Sequence, residues 1–431
     1  MQTPTYGAMA DLFDQYQQLR SYTQGLCERL SAEDMQVQSM PDASPAKWHL
    51  AHTTWFFETF ILKKYLANYQ VFNPHFAHLF NSYYESAGTR HARPKRGLLT
   101  RPSIEQVFAY RAYVDEQMFS CLQQAEANTC DIAEVEMLLQ TGLHHEMQHQ
   151  ELLLTDILHL FSCNPMQEAI FASAQLELQA QAPDLGFIDV PAGMHRVGYS
   201  GQAFAYDNEG PAHDVYLGSH RLANRLVTNA QWLEFMEDGA YQEPLLWLSD
   251  GWATVQKFGW QTPEYWQKQD SIWFQYGLDG LKAIDPNAPV CHISFYEADA
   301  FARWSGKRMP HEHELECASL RAIEQGIEPH TGNILQCEYW RPQAAQAGAQ
   351  GIQQLWGDVW EWTQSSYHAY PHYKAEQGAL GEYNGKFMSN QYVLKGGSCV
   401  TPQAQLRASY RNFFYPHHRW QFTGLRLAED A

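Results

Sequence analysis

Apolar residues recur at helical spacing through residues 8–171, and the pattern then gives way to short apolar runs broken by turn residues. The two parts of the chain therefore need different architectures. Four segments carry the helical pattern: residues 10–30, 47–66, 104–125 and 132–161. Segments of this length predict an antiparallel four-helix bundle. Residues 75–102 interrupt it with Gly88, Pro94 and Gly97 and the basic cluster Arg90, Arg93, Lys95, Arg96 and Arg101, and a long loop inside a compact domain is often functional. An Ala- and Gln-rich stretch, residues 172–182, ends at Pro183. Beyond it, turn signals such as Asp207-Asn208, Asn384-Gly385 and Gly396-Gly397 multiply, with helices expected over residues 228–236 and 294–305, each opened by a capping hydroxyl. The expected fold class is α+β in two domains, a helical bundle over residues 1–180 and a mixed α+β domain over residues 181–431.

With 45% hydrophobic residues in 431, the chain has enough apolar surface for two cores. Its 48 acidic against 29 basic residues, a net charge of −19, disfavour nucleic acid or an anionic membrane as partner and point to small-molecule substrates. The eight Cys form no Cys-x-x-Cys pair, which argues against a structural zinc site. The first residues lack a signal-peptide pattern, and no apolar run of about 18 residues exists, so a soluble cytoplasmic protein is expected.

The sharpest local signal is His144-His145-Glu146-Met147-Gln148-His149. Four residues apart, His145 and His149 share one face of a helix and can bind one cation, whereas His144 points about 100° away. His145-Glu146-x-x-His149 is also the zinc-protease pattern, in which the intervening Glu is a general base. Upstream, Ser44-Pro45 reads as a helix start, a Ser cap followed by Pro at the first helical position, and leads into Trp48-His49-Leu50-Ala51-His52. Either His49 or His52 could complete a three-imidazole site suited to borderline metals, and spacing leaves that choice, and the choice between zinc hydrolysis and iron chemistry, open.

Beyond these, the chain resembles the EgtB-type sulfoxide synthases of ergothioneine biosynthesis. The resemblance rests on Ser44-Pro45 with Trp48-x-Leu50-Ala51-His52, on His145-Glu-x-Gln148-His149, and on Pro289-Val-x-His292-Ile-Ser294, Trp304-x-Gly306-Lys307-Arg308, Gly357-Asp-Val-Trp360-Glu361-Trp362, Gly396-Gly-Ser398, Arg411-Asn412 and Gly424-Leu425-Arg426. It implies a DinB-like bundle followed by an FGE-sulfatase domain of C-type-lectin-like fold. It further implies that His52, His145 and His149 bind a mononuclear non-haem Fe(2+), with O2 as co-substrate, and that a cysteine-type thiol (cysteine or γ-glutamylcysteine) is joined to N-α-trimethylhistidine (hercynine). A selenosugar donor, making the enzyme a selenoneine synthase, is the alternative on the same fold; a zinc hydrolase is the alternative of another class. Formylglycine formation is not expected, because that activity depends on a Cys pair near the C-terminus and residues 407–431 contain no Cys.

The same resemblance makes Tyr83 and Tyr84 the expected catalytic proton donors, with Tyr367 and Tyr370 as fallbacks. The expected substrate contacts are Gln148, the basic-loop residues Arg90, Arg93 and Arg96 for the donor carboxylate, and Asn412, Phe413 and Phe414. Aromatic faces suit a trimethylammonium group, and guanidinium groups bind carboxylates bidentately.

Overall fold

The computed structural model describes residues 7–127, 132–173, 181–376 and 381–431. Its contacts divide the chain into two units, Met1–Pro165 with Gln377–Tyr383, and Met166–Glu376 with Asn384–Ala431. The expected boundary at residue 180 lies outside the described residues.

The first unit is built on α1 (Gly7–Gly25), α2 (Ala46–Phe57), α3 (Ile104–Ala127) and α4 (Ile132–Ser162). Helix α2 runs on through a single π turn, Glu58–Leu62, to Tyr65. All of its residues from Ala46 to Phe57 are buried, as expected for a helix apolar on every side. It packs against α3 and α4, and α1 packs against α4. Gly142 allows the close approach of α4 to α2: a Cβ there would lie 2.4 Å from the Phe57 ring. One local expectation differs. Ser44 does not cap α2; its hydroxyl accepts from Arg96 Nη1 at 2.9 Å and its N–H donates to Asp156 Oδ2 at 2.7 Å. A tertiary charge outcompetes the local cap.

A buried ionic cluster draws on all four helices. Glu146 of α4 receives Arg20 Nη1 of α1 on Oε2 and Arg111 Nη2 of α3 on Oε1, both at 3.0 Å. Arg20 also donates to Thr54 Oγ1 of α2 and Arg111 to the Leu50 carbonyl of α2, while Asp115 of α3 takes Arg20 Nε at 2.8 Å. The two guanidinium groups outweigh the cost of burying Glu146 and hold its carboxyl down at about 2.

The second unit combines short sheets with helices. Strands β1 (Phe187–Val190), β4 (His220–Ala223) and β12 (Ala428–Asp430) form an antiparallel sheet in the order β1-β4-β12. A second sheet has the order β10-β9-β8-β11, from Asn412–Phe414, Tyr392–Lys395, Trp360–Ser366 and Thr423–Gly424. A hairpin pairs β2 (Gly193–Val197) with β3 (His213–Leu217), and β5 (Trp266–Gln269), β6 (Ile272–Gly277) and β7 (Gly280–Ala283) form a meander. The expected caps at Thr228 and Ser294 are both present as capping boxes. The sequence motifs of this unit are largely structural. Glu361, between Trp360 and Trp362, is buried against Arg426 at 2.7 Å, and Glu297 of the Ser294 capping box takes Arg419 Nη1 at 2.9 Å. Gly357, at φ +80°, brings its Cα so close to the Asn333 carbonyl that no Cβ fits. No helix among the described residues is long and apolar enough to cross a membrane.

Replacing Glu146 by Gln leaves Arg111 buried without its counter-charge and Arg20 with Asp115 alone. The expected loss is about 3–5 kcal/mol of stability. Denaturant unfolding measures it, and a loss below about 1 kcal/mol would contradict the role given to this cluster.

Candidate metal centre

Helix α2 contributes His52 and helix α4 contributes His145 and His149, and these three residues converge. Each offers one ring nitrogen, and the three nitrogens lie within 4.8 Å of one another, with the side chains buried. The ring centroids are 4.9 Å apart for His52 and His145, 4.8 Å for His52 and His149, and 4.6 Å for His145 and His149. His145 and His149 meet because four residues return a helix to the same face; His52 meets them because α2 and α4 pack together. Between the two upstream histidines, the structure sets His52 in this trio and puts His49 behind His149.

The nitrogens are prepared as donors. His52 Nδ1 lies 2.6 Å from the Phe80 carbonyl, to which it donates, so the proton sits there and the Nε2 lone pair is left, with no hydrogen-bond partner among the described residues. Among the described residues, neither ring nitrogen of His145 has a partner. His149 Nδ1 lies 2.8 Å from His49 Nδ1, and His49 Nε2 lies 3.0 Å from Asp156 Oδ2. Burial holds His52 and His149 well below the ordinary imidazole range and His145 at about 3, so all three are neutral. A buried polar atom without a partner costs about 1–3 kcal/mol. Such nitrogens on His52 and His145, set with His149 around one point, are the expected mark of a metal site, and three neutral imidazoles suit a borderline divalent ion.

The surroundings are aromatic. His52 is stacked between Trp48 at 4.5 Å and Trp55 at 5.6 Å, and Phe56 lies 4.8 Å from His145. Glu146 points the other way, with both oxygens held by Arg20 and Arg111. The general base that a zinc hydrolase requires is therefore committed elsewhere.

The other sequence candidates separate by burial and contact. Tyr84 is fully buried, and its ring packs against Trp55 at 5.6 Å, Phe60 at 5.2 Å and Tyr83 at 4.6 Å. Asn81 shapes this loop, accepting from Tyr84 N and donating to the Tyr84 and Gly88 carbonyls. Of the basic loop, Arg90 is half exposed and paired with Glu85 at 2.9 Å, while Arg93 donates to the Asp42 carbonyl at the surface. Arg96 is buried, only 3% exposed, with its guanidinium 3.3 Å from the centre of the Trp48 ring. Its donors reach the hydroxyls of Ser44 and Ser82, its Nε has no partner, and no ion pair to it is present among the described residues. Gln148 Oε1 accepts from the hydroxyl of Tyr383. In the second unit, Asn412, Phe413 and Phe414 form β10, paired with β9, and Phe413 stacks on Tyr367 at 4.1 Å. The hydroxyls of Tyr367 and Tyr370 are engaged by Asn208 and Glu312.

Sequence reasoning missed two features. Tyr383 lies in a segment grouped with the bundle, its ring 5.7 Å from His145 and 6.2 Å from Tyr83. The neighbouring Glu382 pins the segment by accepting from Glu85 N, Ser86 N and Ser86 Oγ. No local pattern signals this contact. The second is the chain from Asp156 through His49 to His149, for which a signal existed: Asp156 follows His149 by seven residues, two turns along the same helix face.

Known proteins match across both units. A family model described as DinB superfamily matches residues 15–153, and one described as sulfatase-modifying factor enzyme 1-like domain matches residues 172–431. The chain is 33% identical over 311 residues to the hercynine oxygenase of Mycolicibacterium smegmatis, covering 67% of this chain and 71% of that one. It is 35% identical over 240 residues to the hercynine oxygenase of Mycobacterium tuberculosis, covering 52% and 56%, and 25% identical over 234 residues to ergothioneine biosynthesis protein 1 of Schizosaccharomyces pombe, covering 53% and 28%. A DinB superfamily match followed by a sulfatase-modifying factor enzyme 1-like match, together with one-third identity across most of a hercynine oxygenase, shows that this chain belongs to the hercynine oxygenase family.

Proposed function

We propose that this protein is an iron(II)- and O2-dependent sulfoxide synthase of ergothioneine biosynthesis, joining a cysteine-type thiol to the imidazole of hercynine. The observation that carries the proposal is the convergence of His52, His145 and His149, with ring nitrogens on His52 and His145 that have no partner among the described residues, in a chain similar to hercynine oxygenases. Bound Fe(II) would supply redox exchange with O2 and a site for a thiolate, which the uncompensated charge of three neutral ligands favours.

The remaining chemistry falls to the chain's own residues. Arg96 is the proposed anchor for the donor carboxylate. Its guanidinium is desolvated and makes no ion pair among the described residues, Asp156 acting on it only from beyond Ser44, so a bound carboxylate would supply a direct counter-charge. Exposed Arg90 and Arg93 are proposed to steer the donor and add to that contact. Gln148, held by Tyr383, orients substrate, and Tyr83, Tyr84 and Tyr383 are the proposed sources of a hydrogen bond or proton. Asn412, Phe413 and Phe414 are proposed hercynine contacts, the two rings offering faces to the trimethylammonium group. Glu146, held between two arginines, speaks against zinc-dependent hydrolysis.

Aerobic incubation of the Fe(II)-loaded protein with hercynine and, in parallel, cysteine, γ-glutamylcysteine and a selenosugar is expected to yield a carbon–sulfur product with one of the two thiols. Product with the selenosugar alone would replace the donor assignment, and no product with any donor would sink the reading. His52→Ala is expected to abolish both iron binding and product.

Arg96→Gln is expected to raise the KM for the thiol at least about 30-fold while the protein still binds iron, from the roughly 2–5 kcal/mol carried by a buried charge pair. An unchanged thiol KM would remove Arg96 from the donor site. Replacing Tyr83, Tyr84 and Tyr383 singly by Phe is expected to shift the ratio of coupled product to simple thiol oxidation for at least one of the three; identical ratios in all would place the donor elsewhere.

A further inference from the structure

The three imidazoles are alike in chemistry and unlike in what stands behind them. Among the described residues, His145 has no hydrogen-bond partner on either nitrogen, and it is positioned by the rings of Phe56 and Tyr383. His52 donates Nδ1–H to a neutral acceptor, the Phe80 carbonyl. His149 is backed by a second imidazole and, through it, by a carboxylate. His49 is 3% exposed and Asp156 is 6% exposed, so the chain operates away from bulk water.

We infer that Asp156 and His49 are positioning residues that set the tautomer of His149 and make it the strongest donor of the trio. The inference rests on the metal-centre reading above. Its polarity follows from Asp156. The Oδ2 of that carboxylate is already held by the Ser44 N–H at 2.7 Å and is acceptor-only, so at 3.0 Å it requires the proton of His49 on Nε2. In the tautomer of His49 that carries its one proton on Nε2, the Nδ1 presents a lone pair. Only the Nδ1–H tautomer of His149 can meet that lone pair at 2.8 Å, and that tautomer leaves His149 Nε2 unprotonated. A carboxylate acting through a neutral imidazole also draws on the Nδ1 proton of His149 and raises the basicity of its other nitrogen. The order of donor strength is therefore His149, then His52, then His145.

Long-range proton–nitrogen NMR of the full-length, metal-free protein carrying 15N-histidine reads the tautomers directly and needs no variant to fold. His149 and His52 are expected as Nδ1–H and His49 as Nε2–H; a proton on Nε2 of His149 would overturn the inference. Anaerobic Fe(II) titration against a competing chelator supplies the second readout. Asp156→Asn is expected to weaken iron binding by about 10–100-fold with the metal-free unfolding midpoint nearly unchanged, and Asp156→Glu to restore most of the affinity. Wild-type affinity in both Asp156→Asn and His49→Phe would also overturn it. Neither readout involves hercynine or a thiol, so a failed product assay and a failed relay are separate outcomes.

Discussion

Glu146, closed between Arg20 and Arg111, is the constraint on which the bundle depends. A carboxylate buried in an apolar core is tolerated only while its counter-charges stay in place, and here those charges come from two other helices, each further tied to α2. Turning α4 by one residue would rotate it about 100° and break both ion pairs inside the core. Glu146 is adjacent to His145 in sequence, so the rotation that seats the carboxylate among the arginines also points His145 and His149 at His52. One side of α4 is held by charge, and the other side is thereby aimed.

That aim delivers the imidazoles into surroundings that keep them neutral. Trp48 and Trp55 cover both faces of His52, and the desolvation that depresses the three imidazoles is the same burial that leaves nitrogens of His52 and His145 without partners. Trp48 also carries the buried guanidinium of Arg96, so a cation and the His52 imidazole pack on one indole. The placements of Arg96 and His52 thus share a common wall. The structural cost of the site is concentrated in polar groups that the fold buries without satisfying, which is where binding energy can be recovered.

Much of this was legible in the sequence, and the parts that were not share a cause. The four helices were readable because apolar spacing reports the face of a helix directly, and His145 with His149 because four residues return to one face. The choice between His49 and His52 was not readable from the residues, because every residue of α2 is buried and no polar side marks the direction of the site. The basic loop was readable as a cationic cluster, yet only Arg96 of its members is buried on an aromatic face, a distinction that depends on loop conformation. Ser44 fitted a cap by local rules and was taken by Arg96 and Asp156 instead. Tyr383 follows His145 by more than 200 residues, and its place beside that imidazole depends on Glu382 reaching the loop that holds Tyr83.

The sequence by itself determined the two-domain architecture, the histidine pair on one face of α4 and, through its ordered motifs, the family to which the chain belongs, because these depend on local periodicity and on residues close together in the chain. Tertiary structure decided which upstream histidine completes the trio, that Glu146 is a structural ion partner, and that Asp156 stands behind His149 through His49. Each of those outcomes turns on which buried charge or nitrogen faces which, and in a core that solvent does not reach, that is set by the packing of one helix on another.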